Sequence, residues 1–376
     1  MTLRTLIEQG IVFPAMLPEA NDFLLSEAGK RKRKELLSQK NGVEGFHRQP
    51  PETKKGLLDL DSLDTLVGYT VPLIAHDYSA KTPIMWNSLY NQKQMPLQNI
   101  MVVGDPKQAK QILQELKGDP KYLGGGAGVG FKEAAIPYLD LISPSDLKAV
   151  NIIVKENGQL VGHNTDSEGL MRSLEEKLEM VDKKTEGETF VLIGAGGVAQ
   201  QFARTLAERE AGYIVIVNRT FSKAVALADQ LNRQYGRDLA IGVGENMTRG
   251  VLLNSERPPA AIINLSDKGS DAYPKTTMFY SAGEPNEHVS REMVTQAKKL
   301  RPDLIYADIV LPKSGRPISL RVVDAAGINP EYTLDGKPMV IYQAVPAYKM
   351  IEIAHPELHK ETTEEEVLEI FRRTAA

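Results

Sequence analysis

Cysteine is absent from the 376 residues, which excludes disulfides, thiolate metal sites and cysteine nucleophiles before any motif is considered. Histidine is scarce as well: of the six, only His355 and His359 lie close together, and no HExxH arrangement surrounds them. A metal site built by the protein is therefore not expected. No apolar run reaches the ~20 residues that span a bilayer. The short N-terminal stretch GIVFPAML follows Glu8 and lacks a cleavage region. Nor does charge of one sign dominate: 45 basic against 49 acidic residues leave a net charge of -4, which argues against nucleic acid or an acidic membrane as partner. These absences lead to the expectation of a cytoplasmic protein, monomer or homodimer, whose partner is a small molecule.

What is present is ordinary in amount and informative in order. An apolar content of 42% with 25% charge is that of a soluble globular chain, so a large core is expected. At about 150 residues per domain, the length predicts roughly two to three domains. Residues 1–66 read as an extension: a short apolar start, the helix-like PEANDFLLSEAGKRKRKELLS and a polar, proline-interrupted linker. Its basic run Lys30–Lys34 reads as a solvated helix face. From Gly68 onward, short apolar runs alternate with amphipathic helices, which predicts an α/β layer. Asp166 is expected to cap a helix that carries Leu170, Leu174 and Leu178 on one face. Beyond it, TFVLIG, YIVIV, LAIGV, AAIINL and LIYADIV are near-continuous apolar runs, as in parallel strands covered on both faces. The fold class is accordingly α/β, with a Rossmann-like doubly wound domain.

The clearest chemical signal is VLIGAGGVAQQFARTLAE, where a strand ends at Gly194 and a helix starts a few residues later. Gly194 and Gly196 let the backbone turn tightly and approach a pyrophosphate, while Gly197 keeps the approach open. Ala195 and Val198 complete the turn, and Ala199, Phe202, Ala203 and Leu206 form a helical core stripe. The unpaired N–H groups of that helix start, with the positive end of its dipole, attract an anion. After the next strand an NAD-binding chain places an acid for the ribose hydroxyls, whereas this chain has Asn218, Arg219, Thr220 and Lys223. A guanidinium donates to a 2′-phosphate that an acid would repel, so NADP(H) is the expected cofactor.

FKEAAIPYL, KAVNIIV, GHNTDSEGL, GAGGVAQ, VNRTFSK and DGKPMVIYQA, in this order and spacing, resemble the shikimate/quinate dehydrogenase family over most of residues 67–350. The resemblance implies a discontinuous α/β substrate domain, begun by residues 67–165 and completed by C-terminal helices over 335–376, around an NADP domain over 166–334. It also implies that Lys132 and Asp166 form the acid–base pair and that Asn151 and Gln343 hold ring hydroxyls. Departures gather at the end that would bind a substrate carboxylate. The usual serine pair is replaced by DYSAKTP, leaving Ser79 and Thr82 as candidate donors and Lys81 as either a carboxylate partner or a solvated cation. Gly128, in a glycine-rich stretch that is expected to widen the cleft, stands where a threonine is usual, and Leu311 stands where a tyrosine is usual. The implied function is an NADP-dependent alcohol dehydrogenase acting on a shikimate-like cyclic polyhydroxy substrate. A biosynthetic shikimate dehydrogenase reducing 3-dehydroshikimate, and an NADP-binding regulatory protein without turnover, remain as alternatives.

Overall fold

The computed structural model describes residues 3–9, 11–15, 69–75, 82–270, 273–279, 287–312 and 315–375. The chain forms two compact units, one of Met1–Thr165 with Ala344–Ala376 and one of Asp166–Gln343.

The first unit opens with α1 (Leu3–Glu8), β1 (Val12–Ala15), β2 (Tyr69–Thr70) and β3 (Leu73–Ala75), followed by α2 (Thr82–Gln92), β4 (Leu97–Gln98), β5 (Met101–Gly104) and α3 (Ala109–Gly118). It continues with β6 (Gly124–Gly126), α4 (Phe131–Ala134), β7 (Leu141–Ile142), β8 (Ile152–Glu156) and β9 (Gln159–His163). Its larger sheets run β1-β5-β3 and β6-β8-β9-β7. The start of the chain, expected to belong to an extension, is part of this unit. Leu3, Leu6, Ile7, Ile11 and Val12 are buried with Ile112, Leu116, Val150 and Ile153. β1 runs antiparallel along β5, with Val12 opposite Gly104. Burial of five apolar side chains and a strand's worth of hydrogen bonds accounts for the docking. The helix-like stretch, its basic run Lys30–Lys34 and the linker lie outside the described residues.

The glycine run also differs from expectation. A Cβ at Gly125 would lie 1.9 Å from the Pro72 carbonyl oxygen, and one at Gly126 would lie 2.4 Å from Leu73 Cδ1. β6 is glycine because neighbouring chain fills the space a side chain would need. At these positions the run does not widen a cleft.

The second unit comprises α5 (Asp166–Glu179), β10 (Thr189–Ile193), α6 (Gly197–Glu208), β11 (Tyr213–Asn218), α7 (Phe221–Tyr235), β12 (Ala240–Gly244) and α8 (Thr248–Leu252). It then adds β13 (Ala261–Asn264), α9 (Glu287–Leu300), β14 (Ile305–Asp308), α10 (Ile318–Ala325) and β15 (Thr333–Asp335). From here α11 (Gly336–Ala354) carries the chain back into the first unit, which ends with α12 (Glu364–Ala375). The six strands are ordered β12-β11-β10-β13-β14-β15, and each neighbouring pair is parallel. Both faces are covered, as the apolar runs require. Phe190 and Leu192 of β10 pack with Leu170, Phe202 and Leu227, while Val191 and Ile193 pack with Met293, Val294 and Val323. That is the two-residue alternation of a strand with helices on either side. Strand order reverses between β10 and β13, the switch point where such sheets bind ligands beyond the carboxyl ends of their strands.

Candidate active site

At the switch point the turn after β10 is shaped by one glycine that no other residue replaces. Gly194 has φ +122, and a Cβ there would lie 3.0 Å from the Leu265 carbonyl oxygen, so the turn and the loop after β13 touch backbone to backbone. Its N–H donates to Val217 O at 2.8 Å. Gly196 caps α6 in extended conformation and brings no side chain to cap it. Among the described residues, apart from its chain neighbours and the helix's own backbone, nothing lies within 4 Å of a Cβ built at Gly196 or Gly197. A row of backbone donors at the end of a twelve-residue helix therefore faces open space, which fits a pyrophosphate. Ala195 is buried beneath the turn, Val198 is half-buried, and Ala199, Phe202, Ala203 and Leu206 are fully buried. At the end of β11 the half-buried Asn218 uses its Nδ2 to donate to Thr220 O at 3.0 Å. That bond fixes a turn from which Arg219, Thr220 and Lys223 are exposed. An exposed guanidinium on a braced turn fits a phosphate on an adenosine ribose.

Four polar residues at the same sheet edge escaped the sequence reading. Asn264 and Asp308, the last residues of β13 and β14, are both fully buried. Asn264 Nδ2 donates to Asp308 Oδ1 and to Lys268 O, each at 3.0 Å. Asn264 Oδ1 accepts from Ser266 Oγ at 2.7 Å, and Asp308 Oδ1 accepts from the Val310 N–H at 3.1 Å. The pair thus ties down the loops leaving both strands. Burial pushes the Asp308 carboxyl up to about 6, against the hydrogen bonds that favour its charged form. Lys268 donates to Glu245, which follows β12. The only signal in sequence was the run INLSDKG, polar immediately after an apolar strand.

On α5, Asp166 is buried and stands as the first helical residue, inside the helix and not before it. One turn on, a Cβ at Gly169 would lie 2.6 Å from both the backbone N and the Cβ of Gln343. The missing side chain lets α5 and α11 meet there, and residues three apart share a helix face. Gln343 is accordingly brought to the face of α5 that carries Asp166. Its Nε2 also donates to Val340 O at 3.1 Å.

In the first unit, Lys132 is half-buried on α4, which follows Gly130 at φ +85. Its carbonyl accepts from the Val150 N–H at 2.8 Å. Asn151, next in sequence, is buried and clasps Thr165: Nδ2 donates to Thr165 Oγ1 at 2.9 Å, and the Thr165 N–H donates to Asn151 Oδ1 at 2.9 Å. Lys132, Asn151 and Thr165, the residue before Asp166, are thereby held in one place. Burial lowers the pKa of His163, whose carbonyl accepts from the Asn151 N–H. The carboxylate end is poorer. Thr82 is half-buried at the start of α2, while Ser79 and Lys81 lie outside the described residues. A Cβ at Gly128 would lie 2.9 Å from the Ala75 Cβ, so a threonine has no room there. Leu311 is 45% exposed and brings no hydroxyl. Among the described residues, no helix is long and apolar enough to cross a membrane, and no three His, Asp or Glu side chains gather to hold a metal.

A sequence model of the family described as Shikimate / quinate 5-dehydrogenase matches residues 176–241, from the last turn of α5 into the start of β12. Among characterised proteins, the chain is 29% identical over 299 residues to a shikimate dehydrogenase (NADP(+)) of Halothermothrix orenii, spanning 78% of this chain and 91% of that one. With a quinate/shikimate dehydrogenase (NAD(+)) of Corynebacterium efficiens it shares 31% over 237 residues, 61% of this chain and 72% of the other. In fold, the shikimate 5-dehydrogenase of Listeria monocytogenes, solved with shikimate and NAD, superposes with a TM-score of 0.61 at 24% identity over 81% of this chain and 96% of its own. Identity of this level across most of such relatives, on a doubly wound sheet with an open glycine turn, makes the chain a member of the shikimate/quinate dehydrogenase family of oxidoreductases.

Proposed function

We propose that this protein is an NADP(H)-dependent dehydrogenase that interconverts a secondary alcohol and a ketone on a shikimate-like cyclic polyhydroxy substrate. The observation that carries the reading is the double clasp between Asn151 and Thr165. It fixes Asn151, the residue proposed to hold a ring hydroxyl, to Thr165, which precedes Asp166, and Asn151 directly follows Val150, whose N–H donates to the Lys132 carbonyl. When bound, the nicotinamide supplies or accepts the hydride. The chain's own residues handle the proton and the geometry. In the oxidative direction, Lys132 Nζ accepts a hydrogen bond from the substrate hydroxyl and takes its proton as the carbon loses hydride. The family resemblance makes Asp166 the carboxylate that would favour the resulting ammonium. In the reverse direction the same ammonium returns the proton to the ketone oxygen. Asn151 and Gln343 orient the ring through its other hydroxyls. The glycine turn holds the pyrophosphate, and Arg219 with Lys223 receives the 2′-phosphate.

Loss of the hydroxyl at Gly128 and of a tyrosine at Leu311 removes donors to a substrate carboxylate, at about 1 to 3 kcal/mol each. The substrate is therefore read as a shikimate relative held chiefly through its ring hydroxyls, with Thr82 and Ser79 as the remaining carboxylate donors. Steady-state kinetics with a panel of cyclic hydroxy acids test this directly. Lys132→Ala is expected to lower kcat by about a hundredfold or more while NADPH binding stays near normal. Retained turnover defeats the acid–base role, and a wild-type preference for NADH over NADPH defeats the cofactor assignment.

A further inference from the structure

Sheet register gathers three charges at one end of the second unit's carboxyl edge. Asn218 and Gly244 are partners across β11 and β12, so the residues that follow them, Arg219 and Glu245, leave the sheet side by side. Lys268 comes from farther away, from the loop after β13. In the sheet, β13 stands three strands from β12, with β10 and β11 between them. At about 4.8 Å per strand their ends lie roughly 14 Å apart. Even so, Lys268 Nζ donates to Glu245 Oε1 at 2.8 Å. The ion pair therefore reaches across the ends of β10 and β11, the two strands whose turns carry the glycines and Arg219.

Both partners are nearly dry, their side chains 11% and 12% exposed. Burial lowers the Lys268 pKa, Glu245 raises it again, and the nearby Arg219 guanidinium lowers it. A pair buried to this degree is costly to break from one side, because the survivor keeps its desolvation penalty. Its placement has a consequence for ligand choice. A carboxylate at the adenosine end accepts hydrogen bonds from free ribose hydroxyls and repels a 2′-phosphate. Glu245 has that carboxylate, one strand away from where it is usually found, and Lys268 cancels its charge.

We propose that the Lys268–Glu245 pair is a determinant of dinucleotide choice: Lys268 masks a carboxylate that, unmasked, selects a cofactor with free ribose hydroxyls. With Glu245 masked, the Arg219 and Lys223 cations face the adenosine ribose without an opposing Glu245 charge, and a 2′-phosphate is favoured. The inference deepens the NADP(H) reading and rests on it for the sign of the preference in the wild type.

The test uses the intact protein and two probes that carry only the adenosine half, 2′,5′-ADP and 5′-ADP, with dissociation constants measured by calorimetry. Binding is thus read without turnover. Lys268→Met is expected to reduce the preference for 2′,5′-ADP by about tenfold or more, chiefly by weakening 2′,5′-ADP. Glu245→Gln is expected to tighten 2′,5′-ADP by about threefold or more, and the double variant to return within about threefold of wild type. Should Lys268→Met prove too unstable to assay, Lys268→Gln, which keeps a donor for Glu245 but removes the masking charge, carries the same comparison. An unchanged preference in Lys268→Met, an unchanged affinity in Glu245→Gln, or an equal loss of both probes overturns the proposal. A wild type that binds 5′-ADP as tightly as 2′,5′-ADP fails the NADP(H) reading instead. In that case Lys268→Met must still shift the ratio toward 5′-ADP for the masking role to survive.

Discussion

Asp308 illustrates how one buried carboxyl can make the second unit sensitive to pH. Its Oδ1 accepts from Asn264 and Val310, and burial holds its pKa at about 6, above the unfolded value near 3.9. Between those values the unfolded chain releases a proton that the folded protein keeps. The stability contributed by the neutral acid is therefore complete below about pH 4 and lost as pH rises through about 6. Asp308→Asn keeps an oxygen for the Asn264 and Val310 donors, lets the Ser319 hydroxyl accept from the new amide instead of donating, and removes the charge. It is expected to stabilise the protein by at most about 3 kcal/mol at pH 8 and by well under about 1 kcal/mol at pH 4. Calorimetric melting at the two pH values measures the difference, and an equal effect at both would sink the argument. At this scale the sequence was only partly readable. Gly194, Gly196 and Arg219 announce themselves because a glycine turn and a strand-end cation have local meaning. Asn264, Asp308, Glu245 and Lys268 take their meaning from which strands stand side by side, and no local pattern encodes that.

Elements were legible where their apolar pattern was long. β10, β11, β13 and β14 are four to six residues each and buried nearly throughout, so continuous runs such as YIVIV identify them. α1 and β1 were not, since six and four residues carry little periodicity and the strand's partner, β5, lies some ninety positions away. Their value to the fold is nonetheless large. Besides the five buried apolar side chains, the Leu3 N–H donates to the buried Asp119 carboxylate at 3.0 Å. Each such apolar side chain contributes about 1.5 to 3 kcal/mol on burial, and loss of β1 leaves an open strand edge prone to pairing between molecules. Deleting residues 1–15 is thus expected to destabilise the first unit by at least about 5 kcal/mol and to give aggregated protein. Size-exclusion chromatography and thermal melting of the truncated chain test it. A monodisperse product with an unchanged melting temperature would mean that the docked segment is dispensable.

At the scale of the whole molecule, the two units have separate apolar cores. Lys132, Asn151 and Thr165 are arranged by contacts inside the first, and Asp166, Gln343, the glycine turn and Arg219 by contacts inside the second. The chain passes from the first unit to the second at Thr165–Asp166 and back at Gln343–Ala344. This division makes ligand effects separable. A dinucleotide that binds the second unit stabilises it by RT ln(1 + [L]/Kd), about 2.7 kcal/mol at roughly a hundredfold excess over Kd. With NADP+ alone, slowed amide hydrogen exchange is expected in residues 194–208, 218–224 and 264–268, where backbone donors meet the cofactor or brace its loops. Residues 3–15 and 101–118, which belong to the other core, are expected to exchange at their ligand-free rates. Subsequent addition of substrate is expected to extend protection to 131–134 and 149–165, because those residues hold Lys132 and Asn151. Equal slowing of both units by NADP+ alone would show that the cofactor's effect is not confined to the doubly wound sheet, and the assignment of its contacts to that unit alone would fall.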